Sequence, residues 1–185
     1  MPWRAERLRR TGIVFALGAC LLVPAVPTFA IGGEPAPPFS LQTLDGKTVT
    51  RDSLKGKVVL LDFWATWCIP CIKALPELKD LRQKNAGQPL VIVSVSVDED
   101  KRTAQEFANR NGMDWLQAWD GEMKAVNAFR VDSFPSYVIL DSEGGIAYRQ
   151  KGWSPGRSAA ALGAAVSKAL ESVHKPAAKG VASTR

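Results

Sequence analysis

The sequence predicts an α/β domain: one mixed central sheet with helices on both faces, opened by an N-terminal hairpin. Three observations carry this. Two apolar runs, 58–65 and 90–97, are separated by a helix-length amphipathic stretch, which is the pattern of a parallel crossover. Two later strand-like segments, 137–140 and 146–150, enclose Ser142-Glu143-Gly144-Gly145 and add antiparallel strands. Ahead of both, Asp45-Gly46 is a strong short hairpin signal.

The elements follow in order. Residues 31–37 read as a linker, with glycines at 32 and 33 and prolines at 35 and 37. Residues 39–44 and 47–50 flank Asp45-Gly46 as the two arms of the hairpin. The run 58–65, bounded by Gly56, is long enough for a buried strand and too short for a typical helix. Across 69–85, Ile72, Leu75, Leu78 and Leu81 recur every three residues, predicting an amphipathic helix that Pro76 kinks. The β-branched run 90–97 predicts a second buried strand. Short helices are expected at 101–111 and at 121–129, the latter behind a cap at Asp120. The alanine-rich stretch 155–173 closes the domain, which spans 38–173. The polar residues 174–185, His174 included, read as a disordered tail.

The N-terminus has the order of an export signal. A basic segment, 3–10, precedes an uncharged apolar segment, 11–26, and small residues at Thr28 and Ala30 suit cleavage after Ala30. The apolar run falls a little short of a full membrane span, so cleavage is favoured over retention of 1–30 as an anchor. Leu17-Gly18-Ala19-Cys20 also has the form of a lipid-attachment box, although the residues after Cys20 stay apolar. The net charge is +6, of which the leader contributes +3, and no basic stripe with interleaved aromatics points to nucleic acid.

Three cysteines are too few for a disulfide scaffold. Two of them form Trp67-Cys68-Ile69-Pro70-Cys71, where a buried strand gives way to a helix. The first turn of a helix has unpaired N–H groups and the positive end of the macrodipole, so a thiolate at Cys68 is favoured there. Cys68 is expected to be the exposed nucleophile. Cys71, one turn on and more buried, is placed to resolve a mixed disulfide. Pro70 is tolerated because early helix positions need no N–H partner. Asp62, flanked by Leu61 and Phe63 inside the buried strand, is costly unless it has a task or a partner. It is the candidate proton acceptor, the alternative being an edge carboxylate that reaches water.

The stretch LLDFWATWCIPC resembles the thioredoxin active site, and Asp62 falls on that family's buried acid. Pro76 matches the family's kink, and Phe134-Pro135 ahead of a strand matches its cis-proline loop. The leading hairpin and the run DSEGGIAYRQKGW resemble the exported TlpA/ResA-like branch, so the similarity covers about residues 36–172. It implies a thioredoxin-like three-layer sandwich. It also implies a thiol–disulfide oxidoreductase whose redox-active disulfide is Cys68–Cys71, with catalytic Cys68, Cys71 and Asp62. The same resemblance makes Trp67, Ile69, Pro70, Phe134 and a cis Pro135 the substrate-binding residues, with the Phe134 backbone pairing with substrate. The implied partners are exported proteins, such as apocytochrome c or copper-site proteins, and a membrane electron donor in the bacterial periplasm. Two features depart from the branch: Asp62 leans towards ordinary thioredoxin, and Phe134 is aromatic where a small or β-branched residue is usual.

No metal or cofactor is expected. Zinc needs about four ligands, and here one CxxC stands alone. Covalent haem needs CxxCH, and Ile72 follows Cys71. The domain also offers no histidine to activate a papain-like nucleophile. Trp115, Trp119 and Trp153 read as core or groove wall, and Asp98, Glu99 and Asp100 as a solvated loop and helix start. Two other functions share the same residues: a non-catalytic binding module of this fold, and an oxidase that donates disulfides.

Overall fold

In the computed structural model, which describes residues 34–174, strand structure begins inside the stretch expected to be a linker. Glu34–Pro35 (β1) pairs antiparallel with the strand that holds Gly145 and Ile146, and the next residue, Ala36, is buried in the core. Ser40–Thr43 (β2) and Thr48–Thr50 (β3) form the expected hairpin. Gly46 at φ +87° takes the left-handed turn position that other residues resist.

Val58–Trp64 (β4) is buried along its whole length, as an apolar run covered on both faces requires. Ile69–Lys84 (α1) follows, and Leu90–Ser96 (β5) returns parallel to β4. Next come Lys101–Arg110 (α2), Leu116–Trp119 (β6) and Lys124–Ala128 (α3). Ser136–Leu140 (β7) and Gly145–Lys151 (β8) make the late hairpin, and Arg157–His174 (α4) closes the fold. The strand order is β1-β8-β7-β4-β5-β6-β2-β3, with β4, β5 and β6 parallel and the remaining pairs antiparallel.

Both faces of the sheet are covered. One layer packs Leu78 and Leu81 of α1 and Leu162 and Val166 of α4 against Val58, Leu60, Tyr137 and Ile139. The other packs Ala104 and Ala108 of α2 and Ala125 and Val126 of α3 against Val59, Leu61 and Phe63, with Phe129 wedged between Phe39 and Phe63. Among the described residues no helix is long and apolar enough to cross a membrane.

Several expectations need correction. β6 was not anticipated: four residues with no clear alternation become a strand because β5 pairs with them on one side and β2 on the other. The helix expected at 121–129 is only Lys124–Ala128, because Met123 takes a left-handed conformation before it. Asp120 still serves that helix, its carboxylate accepting from the Val126 N–H at 2.9 Å. Ile72 leaves the buried stripe and is 37% exposed, while Cys71, Ala74, Leu75, Leu78 and Leu81 are buried. A three-residue spacing drifts round a 3.6-residue helix, so the first member of the series falls off the face. α4 extends through His174, which was read as tail. The readings of the leader, with Cys20 and cleavage after Ala30, and of 175–185 lie outside the described residues.

Candidate active site

β4 delivers the chain to the cysteines. Its last residues run into Ala65-Thr66-Trp67, and Cys68 is the N-cap of α1, with extended backbone. Cys68 and Cys71 are joined as a disulfide. The Cys71 N–H donates to Cys68 Sγ at 3.3 Å, so the first turn of α1 directs a free donor at the sulfur expected to be the nucleophile. Pro70 sits in that turn, and α1 continues through Pro76, which has no N–H to give back to the helix.

The expected contrast in exposure is absent. Cys68 is 5% and Cys71 7% exposed, so the two residues of this oxidised form are about equally buried. What distinguishes them is the amide aimed at Cys68. Around them the surface is apolar: Trp67 is 63% and Ile69 64% exposed, and Ile72 extends the patch by one turn. Large apolar side chains left in water beside a reactive centre mark a contact surface.

Phe134 comes to this surface from the other side of the sequence. Its ring meets Trp67 edge to face, with centroids 5.9 Å apart. The Phe134–Pro135 peptide is cis, and Pro135 is buried at the head of β7. Ser136 of β7 is paired with Phe63 of β4, so the proline loop lies at the end of the sheet from which the cysteine loop leaves. The structure therefore brings together Trp67 and Phe134, and places Cys68, Ile69, Pro70 and Cys71 on one turn beside them.

Asp62 lies in the interior of β4, fully buried, six residues before Cys68. Burial pushes its carboxyl up to about 7, against the opposing pull of the Ser94 hydroxyl, which donates to Oδ2 at 2.8 Å. The edge-carboxylate alternative is thereby set aside, since the group is buried and its side chain bonds Ser94 and no lysine among the described residues. Tyr137 of β7 is its register partner. Burial, with the charges of Asp62 and Glu77 nearby, pushes that phenol up as well.

Asp98 was read as part of a solvated loop, and the structure reverses this. It is buried, and its carboxylate accepts from the Thr66 N–H at 3.1 and 3.2 Å, the Thr66 hydroxyl at 2.7 Å and the Ser96 hydroxyl at 2.8 Å. The Trp119 indole donates to the Asp98 carbonyl at 2.7 Å. Gly121 is required beneath it, since a Cβ there would stand 2.2 Å from the Trp119 ring. Asp98 thus holds the residue two before Cys68 and sets how the chain enters α1. Asp98→Ala would leave the Thr66 N–H and two hydroxyls without their partner. It should cost about 2–4 kcal/mol in urea unfolding, whereas Glu99→Ala, at an exposed neighbour, should stay within about 0.5 kcal/mol. Asp100 behaves as expected of a helix start, its carboxylate accepting from the Arg102 N–H at 2.9 Å.

Ile72, Ser94, Asp98 and Trp115 were missed as site residues. A signal for two of them was present: serines at 94 and 96 and an aspartate at 98 alternate within an otherwise apolar strand, which predicts polar partners on one face. Trp115, Trp119 and Trp153 act as walls with a tethered N–H, whereas the buried Trp64 N–H has no partner among the described residues. Trp115 donates to Ser94 at 2.9 Å, Trp153 to Glu77 at 2.7 Å, and Trp64 is packed against Phe107.

The family model named Redoxin matches residues 32–166. The chain is 33% identical over 112 residues to the thiol-disulfide oxidoreductase ResA of Bacillus thuringiensis, covering 60% of this chain and 65% of that one. It is 38% identical over 116 residues to the thioredoxin-like protein YneN of Bacillus subtilis, covering 60% and 66%. The chain thus spans just under two thirds of the length of these relatives. A crystal structure from Chlorobium tepidum, assigned as thiol:disulfide interchange protein DsbE, superposes with a TM-score of 0.70 at 27% identity. That match covers 75% of this chain and 97% of that one.

Proposed function

Because the chain belongs to the Redoxin family within the thioredoxin superfamily, we propose that it is a thiol–disulfide oxidoreductase that reduces disulfides of exported proteins through Cys68 and Cys71. The observation that carries this is the helix N-terminus at the cysteines, where the Cys71 N–H meets Cys68 Sγ inside an exposed apolar collar.

The Cys68 thiolate attacks one sulfur of a substrate disulfide; the substrate S–S bond breaks, a Cys68–substrate disulfide forms, and the other substrate sulfur leaves as a thiolate. Cys71 gives its proton to the carboxylate of Asp62 and attacks Cys68 Sγ. The second substrate thiolate leaves and the Cys68–Cys71 disulfide forms. The substrate gains two electrons and the protein loses two, so each cycle needs an external dithiol donor, which we assign to a membrane protein. Trp67, Ile69, Pro70 and Phe134 form the apolar surface that a substrate segment covers. Among the described residues no hydrogen bond occupies the backbone of Phe134, which leaves it open to pair with that segment.

The basic-then-apolar leader supports action in the bacterial periplasm, with the domain either released or tethered through its N-terminus. Exported apocytochrome c and copper-site proteins are the substrate class that fits a dedicated reductant there.

The test is the redox equilibrium of the chain in graded thiol buffers, read by trapping free Cys68 and Cys71. A reversible two-electron transition near roughly −270 mV is expected of a reductant. A value near roughly −120 mV would make it an oxidase that donates disulfides. Absence of any reversible transition would leave a binding module of the same fold.

A further inference from the structure

We infer that Trp115 is a positioning residue for the resolving step: through Ser94 it fixes the hydrogen bond that Asp62 accepts, and so governs how readily Asp62 takes up the Cys71 proton. This rests on the proposed role of Asp62 as that proton acceptor.

The three groups form one chain across two strands. The Trp115 indole donates to Ser94 Oγ at 2.9 Å, and Ser94 Oγ donates to Asp62 Oδ2 at 2.8 Å. Ser94 is register partner to Asp62 across the β4–β5 pair, and both are buried. An indole N–H has a proton to give and no acceptor, so Ser94 Oγ must accept from it. The single proton of the serine is then left for Asp62. Without the indole, the hydroxyl could turn and give its proton elsewhere. A hydrogen bond donated to a carboxylate favours the charged form, while burial opposes it. Ser94 supplies the only hydrogen bond to the Asp62 side chain among the described residues, so its orientation has no substitute.

Apart from burial, the titratable groups around Asp62 among the described residues act on it without a hydrogen bond. β7 contributes the Tyr137 phenol, and α1 contributes Glu77, whose carboxylate accepts from the Trp153 indole and the Gly156 N–H. α1 also carries Cys71, with Cys68 as its N-cap. α4 turns Leu162 and Val166 inward, and its Arg157, Lys168 and Glu171 are exposed. Among the described residues no cation donates to Asp62. Trp115 itself stands just ahead of β6, outside the apolar surface around Cys68, so changing it leaves the substrate contacts in place.

The test uses the full chain in the disulfide form, where the cysteines do not titrate. The Asp62 carboxyl and the Trp115 indole N–H are followed by NMR from pH 5 to 9. The indole signal is expected to move with the Asp62 midpoint and to become independent of pH in Asp62→Asn. Trp115→Phe should raise the Asp62 midpoint by about half a pH unit, a roughly threefold loss of acidity. Ser94→Ala should raise it at least as far, and Ser94→Thr, which keeps the hydroxyl, should restore it. The pH profile for resolution of a mixed disulfide should move by the same amount in Trp115→Phe. An unmoved midpoint in Trp115→Phe and Ser94→Ala would overturn the coupling and leave Asp62 as proton acceptor. A moved midpoint with an unmoved resolution profile would retire Asp62 from that role, and Trp115 with it.

Discussion

Cys71→Ser should stop turnover and leave the protein covalently attached to its substrate. Cys68 keeps its place at the N-cap of α1, with the amide of residue 71 still directed at its sulfur, so the first attack proceeds. A serine hydroxyl at 71 cannot displace the substrate from Cys68, because the alkoxide it would need is far out of reach near neutral pH. Disulfide reductase activity is expected below about a thousandth of wild type. A substrate adduct should accumulate that disappears on adding dithiothreitol. Cys68→Ser should lose the same activity and form no adduct. Gel electrophoresis without reductant separates the two, and an adduct on Cys71 in the Cys68 variant would reverse the order of attack.

Asp62→Asn should make the protein more stable at pH 8 and nearly unchanged at pH 4. The folded-state carboxyl is pushed up to about 7 by burial, against 3.8 in the unfolded chain. Below 3.8 both states are protonated and nothing is lost. Between 3.8 and 7 the unfolded chain releases its proton first, so folding takes up a proton and stability falls as pH rises. Above 7 the buried charge is present in full and the loss is constant, roughly 4 kcal/mol at one factor of ten per pH unit. Asparagine keeps the volume and never ionises, so urea midpoints for the two proteins should coincide near pH 4 and diverge up to pH 7. The same substitution removes the proposed proton acceptor and should slow resolution of the mixed disulfide by about tenfold to a hundredfold near pH 7. A variant no more stable at pH 8 than at pH 4, relative to wild type, would show that Asp62 is not destabilised by its site.

These two results concern residues that were legible from local pattern. CxxC at a strand-to-helix junction and a lone acid in an apolar strand are visible in a dozen consecutive residues, because what makes them unusual is their immediate neighbours. The strands β4 and β5 and helix α1 were readable for the same reason. Long apolar runs and a helical stripe have few alternative uses. β1 and β6 were not readable, since two and four residues of mixed character acquire strand geometry only when a neighbour supplies the ladder.

By itself the sequence determined the order of the main elements, the chemistry available at Cys68 and Cys71, and the anomaly at Asp62. Tertiary structure alone decided what surrounds them. Asp98 became the anchor of Thr66, Phe134 met Trp67 across 67 positions of chain, and Ser94 and Trp115 were directed at Asp62. Each of these contacts joins segments at least 21 residues apart, so it exists only once the sheet has set its register. Local pattern reports which groups a segment carries; burial and partnership are properties of the packed whole.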